Sequence, residues 1–323
     1  MSHQILALTP ETYQPHRIHT QERDWAETNC YIDIWIELLH ALGHEPIAAM
    51  PFTLNIDFEG DQWTFFKFQL SDLQLLYNLE VQELAIWKPL TLHIQEQISN
   101  GRPVLVELDS MFLPDTVGMS YHESHVKSTV AVNSIDLVNQ KMGYFHGQGY
   151  YQLSGQDFID VFRLNNSDKS YLEPYVEIVK QRNDLSNPID NLLNNSINIL
   201  KRQLALMPAE NPFIRFKPSL ERDLNWLKGK SLEEFHLYSF ATLRQFGSCF
   251  EQSALYIEWL IEQGEDDLHK VRDNYRQISE TTKVFQFQLA RVISRGKELD
   301  LTTIDCLAEL WLDAVTALKR KYL

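Results

Sequence analysis

The sequence predicts an α+β chain: an N-terminal α/β domain with an antiparallel sheet over residues 1–165, followed by an all-helical domain over residues 166–323. Extended and helical patterns alternate along the first half. Its extended segments near 103–108, 128–135 and 142–145 are spaced as a meander, with a long loop after the first. After Asn165 the pattern changes to long helical stretches separated by Pro and Gly.

The first half contains three predicted helices. Apolar residues three to four positions apart indicate a helix over about 29–42, and Gly43 ends it. Ser71 and Gln74 form a capping box for a short helix that ends near Asn78. A further helix covers about 89–99. Residues 53–58 and 63–68 look extended and are joined by a hairpin-like turn.

The second half has apolar stripes suited to a helical bundle. The predicted helices are Tyr171–Arg182, Ile189–Met207, Leu220–Leu227, Leu232–Gln263, Asp266–Arg295 and Thr302–Lys321.

Composition limits the classes of function. The net charge of −15 argues against a nucleic-acid binder, because phosphate contacts need a basic face. We expect no membrane span, since no run approaches the roughly 20 apolar residues that a bilayer requires. The N-terminus does not have the pattern of a signal peptide. Three cysteines cannot form a disulfide framework, so a cytoplasmic location is expected.

Cys30 is the candidate nucleophile. Thr28 or Asn29 can cap the predicted helix, which places Cys30 in its first turn. There the positive end of the helix dipole favours a thiolate, and the free backbone N–H groups can receive an oxyanion. A base is still required, because an unassisted thiol is only a few per cent ionised at about neutral pH.

His125 is the candidate base. It follows the long loop after 103–108 and precedes the next predicted strand, where a side chain can project from a sheet edge. The third group, which would orient the imidazole, is open. His146 ends the following strand and is the first choice. Asp109 and Asp136 are the alternatives.

Other residues of the region are candidates for less direct roles. Trp25 and Tyr121 flank the proposed site in sequence and could line an acyl or pantetheine channel. The substrate or oxyanion candidates are Trp25, Glu27, Asn29, Asp109 and Tyr121. His122 and His125 could instead form a metal half-site with Asp115 or Asp109, but no zinc-type spacing occurs, so we expect no metal. Cys249 and Cys306 are predicted to be packed, inert side chains.

Long motifs carry a resemblance to a known family. They are RDWAETNCY (23–31), PFTLNIDFEGDQWTFFKF (51–68), LPDT (113–116), HVKSTVAV (125–132) and GYFHGQGYYQLSGQDF (143–158). On these motifs the chain is identified as a member of an uncharacterised bacterial family, domain of unknown function 1839. The resemblance runs over nearly the whole chain.

The segment from Gly101 to Phe158 also resembles the butirosin-pathway acyltransferases, which are papain-like. This resemblance implies a papain-like fold for the first domain and transfer of an acyl group from a carrier protein's phosphopantetheine thioester to an amine through an acyl-cysteine. The matching positions are Val104–Val106, Asp109, Leu113-Pro114 and His125. The aspartate that closes that group's pattern falls on His146 here.

Three functions remain open. The first is a papain-like cysteine acyltransferase, in which Cys30 takes an acyl or aminoacyl group from an acyl or peptidyl carrier protein and His125 moves the proton to a small-molecule acceptor. Such an enzyme needs no resident cofactor, because phosphopantetheine arrives on its substrate. The second is a papain-like cysteine hydrolase, either a peptidase or a thioesterase. The third is a non-catalytic binding protein with an unreactive Cys30.

Overall fold

The computed structural model describes residues 3–20, 23–25, 29–165, 172–182, 191–295 and 299–323. These residues form two compact units. The first comprises 1–21, 29–46 and 73–188, and the second comprises 22–28, 47–72 and 189–323. The chain therefore crosses between the units several times rather than once near residue 165.

The first unit is built on a seven-stranded sheet in which every pair of neighbouring strands is antiparallel. The strands are β1 (His3–Gln4), β2 (Leu79–Glu83), β3 (Val104–Asp109), β4 (Lys127–Asp136), β5 (Lys141–His146), β6 (Gly149–Ser154) and β7 (Val176–Gln181). Their order is β2-β7-β3-β4-β5-β6, and β1 pairs with β4. The α+β fold class predicted from the sequence is confirmed.

Helices cover both faces of this sheet. The unit contains α1 (Arg17–Thr20), α2 (Cys30–Ala41), α4 (Leu90–Ser99), α5 (Gln156–Val161) and most of α3 (Leu70–Tyr77). One face of the sheet packs its Val and Ile side chains against α4 and α5. The helix α2 contacts β4, β5 and β6, and all of its residues from Tyr31 to Leu39 are buried.

Residues 172–182 correct one prediction. A helix was expected over Tyr171–Arg182, but Val176–Gln181 is the strand β7 between β2 and β3. Val176 and Ile178 join the core at the two-residue period of a strand. The buried Glu177 accepts hydrogen bonds from Tyr31 and Tyr175, both at 2.9 Å.

The domain boundary expected at residue 165 needs the same correction. The strand β7 extends the sheet past it, and residues 47–72 cluster with the helical unit. The predicted hairpin over 53–68 is reduced to one bridge between Phe58 and Trp63, because Pro46–Asn55 forms a 3-10 helix.

The second unit is mainly helical. Its helices are α6 (Leu192–Ala205), α7 (Pro212–Leu227), α8 (Leu232–Ser239), α9 (Gln245–Glu262), α10 (His269–Arg295) and α11 (Thr302–Tyr322). Phe240–Arg244 is a π-helical turn between α8 and α9. Aromatic rings fill the core, where Trp63 packs against Phe213, Phe216 and Phe246. No helix in the described part of the chain combines the length and apolar character needed to cross a membrane.

Candidate functional site

Cys30 is the first residue of α2. Asn29 caps this helix, since its side-chain oxygen accepts a hydrogen bond from the backbone N–H of Ile32 at 3.2 Å. The half-buried Cys30 thiol lies 3.9 Å from Oγ1 of Thr129, measured from Sγ. The sulfur therefore stands at the positive end of a helix dipole and next to a hydroxyl that can both accept and donate a hydrogen bond.

The strand register places a carboxylate on the same face of the sheet as Thr129. Thr129 pairs with Glu107, and Lys127 pairs with Asp109. Because opposite residues share a face and side chains alternate along a strand, Thr129 and Asp109 point to one side. They are separated by one two-residue step of the ladder, about 7 Å along the strand.

His125 binds that carboxylate. Its Nδ1 atom lies 2.6 Å from Oδ2 of Asp109, and its ring contacts Phe112 edge-on. The imidazole side chain is 71% exposed. With Nδ1 held by the carboxylate, Nε2 has no hydrogen-bond partner among the residues that the structure describes, and it is the nitrogen that could accept a proton.

The thiol and the imidazole are not yet in contact. Within the described ranges no hydrogen bond joins Cys30 to His125, and the sulfur is hydrogen-bonded to Thr129 of the sheet. Their partners Thr129 and Asp109 lie on one face of the sheet, and the His125 side chain is exposed. Catalytic hydrogen bonds are often long in a free enzyme and tighten when substrate binds.

His146 does not orient His125, so that prediction is wrong. Its Nε2 lies 2.6 Å from Oγ of Ser128, and its Nδ1 lies 2.5 Å from Oδ2 of Asp115. Ser128 and Thr129 are neighbours in β4 and therefore face opposite sides of the sheet. The orienting carboxylate is Asp109, which the sequence analysis held as an alternative.

The other predicted substrate and oxyanion residues lie in different environments. Asn29 uses its side-chain oxygen as a helix cap, so this atom is an acceptor and does not stabilise an oxyanion. Trp25 is 2% exposed and donates its indole N–H to Ser279 inside the second unit, which excludes it as a channel lining. Tyr121 donates to Asp157 at 3.0 Å and stacks on His122. Glu27 and Thr28 lie outside the described residues.

The proposed metal half-site is not assembled. His122 lies 3.4 Å from Asp157, while Asp109 and Asp115 bind different histidines. Among the described residues no group of three possible His, Cys, Asp or Glu ligands converges.

The other two cysteines differ in environment. Cys249 is buried, its thiol contacts the Thr53 carbonyl at 3.1 Å, and burial raises its pKa. Cys306 is exposed on α11, which corrects the expectation that it is packed. Thr129 and Ser128 were missed as site residues, although the alternation of HVKSTVAV could have assigned each to its own face.

Comparison with known families gives two adjoining matches. The DUF1839 N-terminal domain matches residues 14–181, and the DUF1839 C-terminal domain matches residues 190–320. The first match ends with β7, in agreement with the extent of the sheet. The family resemblance inferred from the sequence motifs is thereby confirmed. No curated protein matches the chain.

Proposed function

The chain belongs to the DUF1839 family, and we propose that it is a cysteine-dependent acyl or aminoacyl transferase with Cys30 as the nucleophile. The observation that carries this proposal is the location of the Cys30 thiol at the start of α2, on the sheet face that also holds the Asp109–His125 pair. Helix dipole, free backbone N–H groups and a carboxylate-oriented imidazole are the three elements of cysteine acyl transfer.

Each group has one role in the proposed reaction. Nε2 of His125 takes the proton of the Cys30 thiol, and the thiolate attacks the carbonyl of a thioester donor. A bond forms between Sγ and the acyl carbon, the donor's C–S bond breaks, and the leaving thiolate recovers the proton from His125. An amine or alcohol then gives its proton to His125 and bonds to the acyl carbon, the Sγ–C bond breaks, and the Cys30 thiolate recovers the proton from His125.

The donor in this proposal is a phosphopantetheine thioester carried by an acyl or peptidyl carrier protein, and the acceptor is a small molecule. The support is the motif resemblance of residues 101–158 and the near-equal energies of the two thioesters, which leave the enzyme mainly to position the donor. The protein itself then needs no resident cofactor. We assign the reaction to the cytoplasm, where cysteines remain reduced.

Selective alkylation tests the nucleophile. Iodoacetamide at about neutral pH, followed by peptide mass mapping, should label Cys30 before Cys306, although Cys306 is the more exposed. Cys249 should stay unlabelled in the folded protein. Labelling of Cys306 ahead of Cys30 would show that the site does not activate the Cys30 thiol.

Adduct formation tests the reaction. An aminoacylated carrier protein should transfer its acyl group to Cys30, and mass mapping should locate the adduct. His125→Ala should slow this step at least about 100-fold. His122→Ala, on the same loop, is the matched control and should leave the rate unchanged. Equal rates in the two variants would contradict the role of His125, and resolution of the adduct by water alone, across a panel of amines, would indicate a hydrolase.

A further inference from the structure

A second cluster of hydrogen-bonded polar side chains lies on the sheet face opposite to Thr129. Oγ of Ser128 is 2.6 Å from Nε2 of His146, and Nδ1 of the same imidazole is 2.5 Å from Oδ2 of Asp115. Three elements supply these groups: the start of β4, the end of β5 and the 3-10 turn Pro114–Thr116. The order hydroxyl, imidazole, carboxylate is that of a serine hydrolase triad.

We propose that Ser128, His146 and Asp115 form a serine acyl-transfer centre, distinct from Cys30, that acts on esters or thioesters with an apolar acyl group. The three side chains come from separate segments of the chain, so no local sequence pattern predicts that they meet. The proposal does not depend on the reactivity of Cys30.

The hydrogen bonds define the proton on each atom. An ionised carboxylate only accepts hydrogen bonds, so Nδ1 of His146 carries the proton that faces Asp115. Nε2 is then the unprotonated nitrogen and accepts the hydroxyl hydrogen of Ser128. This tautomer lets the imidazole act as a general base toward Ser128.

Further contacts hold Asp115 in place. Tyr144 donates its hydroxyl to Oδ1 of Asp115 at 2.5 Å, so both carboxylate oxygens are engaged. Burial, together with the charge and hydrogen bond of Asp115, raises the pKa of Tyr144, which keeps this phenol a donor. The hydroxyl of Thr116 binds the carbonyl of Ser110 at 2.8 Å and fixes the turn. Asp115 is thus a positioning residue with its own supporting contacts.

The surroundings indicate the class of acyl group. Ser128 is half-buried, and the Asp115 side chain is 5% exposed. Three apolar side chains on the same segments are open to solvent: Val117 (70%), Met119 (55%) and Val126 (49%). They follow Asp115 or precede Ser128 by two to four residues. Exposed apolar side chains this close in sequence to the members of a polar centre suit an uncharged, apolar acyl chain.

In the proposed step Ser128 is the nucleophile and His146 moves the proton. Oγ of Ser128 attacks the acyl carbon while its proton moves to Nε2 of His146, and an Oγ–C bond forms. The bond from carbon to the leaving oxygen or sulfur breaks, and the leaving group takes the proton from His146. Water then enters by the reverse sequence and releases the acid.

A purely structural network would have the same hydrogen bonds but no chemical reactivity, so the test measures reactivity. An alkyl fluorophosphonate phosphonylates activated hydroxyls with loss of fluoride and leaves thiols unmodified. Incubated with the full chain, it should label Ser128, identified by fragment mass spectrometry. His146→Gln and Asp115→Asn should slow the labelling at least about 100-fold.

Controls separate reactivity from folding. Ser134→Ala, on the same strand, should label at the wild-type rate, and circular dichroism should show that each variant is folded. After iodoacetamide has blocked Cys30, Ser134→Ala should retain hydrolysis of a p-nitrophenyl butanoate probe, and Ser128→Ala should lose it. Absence of Ser128 labelling in the folded wild-type chain, or labelling unaffected by His146→Gln, would overturn the proposal. Neither result would bear on acyl transfer by Cys30.

Discussion

Oδ2 of Asp109 lies 2.6 Å from Nδ1 of His125, and this pairing of a carboxylate with an exposed imidazole organises the candidate cysteine site. Asp109 ends β3, and His125 stands two residues before β4. Since these strands pair along their whole shared length, the two side chains meet at one end of the ladder. The carboxylate fixes the tautomer that leaves Nε2 available.

Loss of this carboxylate should reduce the rate of acylation. In Asp109→Asn the amide can no longer stabilise an imidazolium or enforce the tautomer, so we expect Cys30 acylation to slow by about 10²–10⁴-fold. Asp136→Asn is the control, because the hydrogen bonds that Asp136 accepts from the described residues lie within its own turn. The measurement is the rate of adduct formation with a carrier-bound thioester. Similar losses in both variants would remove Asp109 from the site.

The Thr129 hydroxyl should assist the Cys30 sulfur. It is the hydrogen-bond partner of the thiol, at 3.9 Å, and can donate to the thiolate once it forms. Thr129→Val keeps the shape and removes the hydroxyl, so iodoacetamide labelling of Cys30 should slow several-fold. Thr129→Ser retains the hydroxyl and should label close to the wild-type rate. A faster reaction in Thr129→Val would mean that the hydroxyl restrains the sulfur instead.

The stability of the first unit should depend on pH through His19. This imidazole lies between two buried carboxylates of α2, at 3.3 Å from Asp33 and hydrogen-bonded to Glu37. Burial alone would lower the pKa of His19, but hydrogen bonds and charges from Asp33 and Glu37 outweigh it and raise the pKa. Because the pKa of His19 is higher in the folded protein, its stabilising contribution is fully present below about pH 6.5, the pKa in the unfolded chain. This contribution is lost as the pH rises through the pKa of His19 in the folded protein.

Urea unfolding across this range should therefore show a free energy of unfolding that falls with rising pH, and His19→Gln should remove that part of the slope. His44 provides a control of opposite sign. Its ring packs on Tyr77, and burial lowers the pKa of His44. The contribution of His44 to stability is present above about pH 6.5 and is lost as the pH falls through the pKa of His44 in the folded protein. His44→Gln should therefore reduce the fall in the free energy of unfolding at acid pH. An unchanged slope in His19→Gln would contradict the role of the carboxylates.

Gly247 should resist substitution in α9. A Cβ atom there would stand 2.4 Å from the indole of Trp25, which is buried and cannot retreat. Alanine normally stabilises a helix by about 1 kcal/mol relative to glycine, but overpacking costs about 1–3 kcal/mol, so Gly247→Ala should destabilise the protein. Chemical denaturation gives the free energy of unfolding.

The double-mutant cycle with Trp25→Ala tests the cause of that loss. Once the indole is removed, the same Gly247→Ala change should become neutral or stabilising, because its Cβ has space and the helix gains alanine propensity. Additive losses would show that the contact with Trp25 is not what excludes a side chain at Gly247.

The sequence predicted the elements whose pattern is local. The helix that begins at Cys30 has a cap, a helical apolar period and a terminal glycine, and the structure has it over Cys30–Ala41. The three meander strands also lie close to their predicted positions. The strand β7 was missed because its buried Glu177 is compensated partly by Tyr31, which is 146 residues away in the chain, as well as by the nearby Tyr175.

The sequence by itself determined the family, the α+β class and the placement of a cysteine at a helix start, because motifs, periodicity and capping depend on neighbouring residues. Only the tertiary structure decided that Asp109, rather than His146, binds His125, and that His146 meets Ser128 and Asp115 on the opposite face. Strand register and the alternation of side chains make that choice, and neither is specified until β3, β4 and β5 pair.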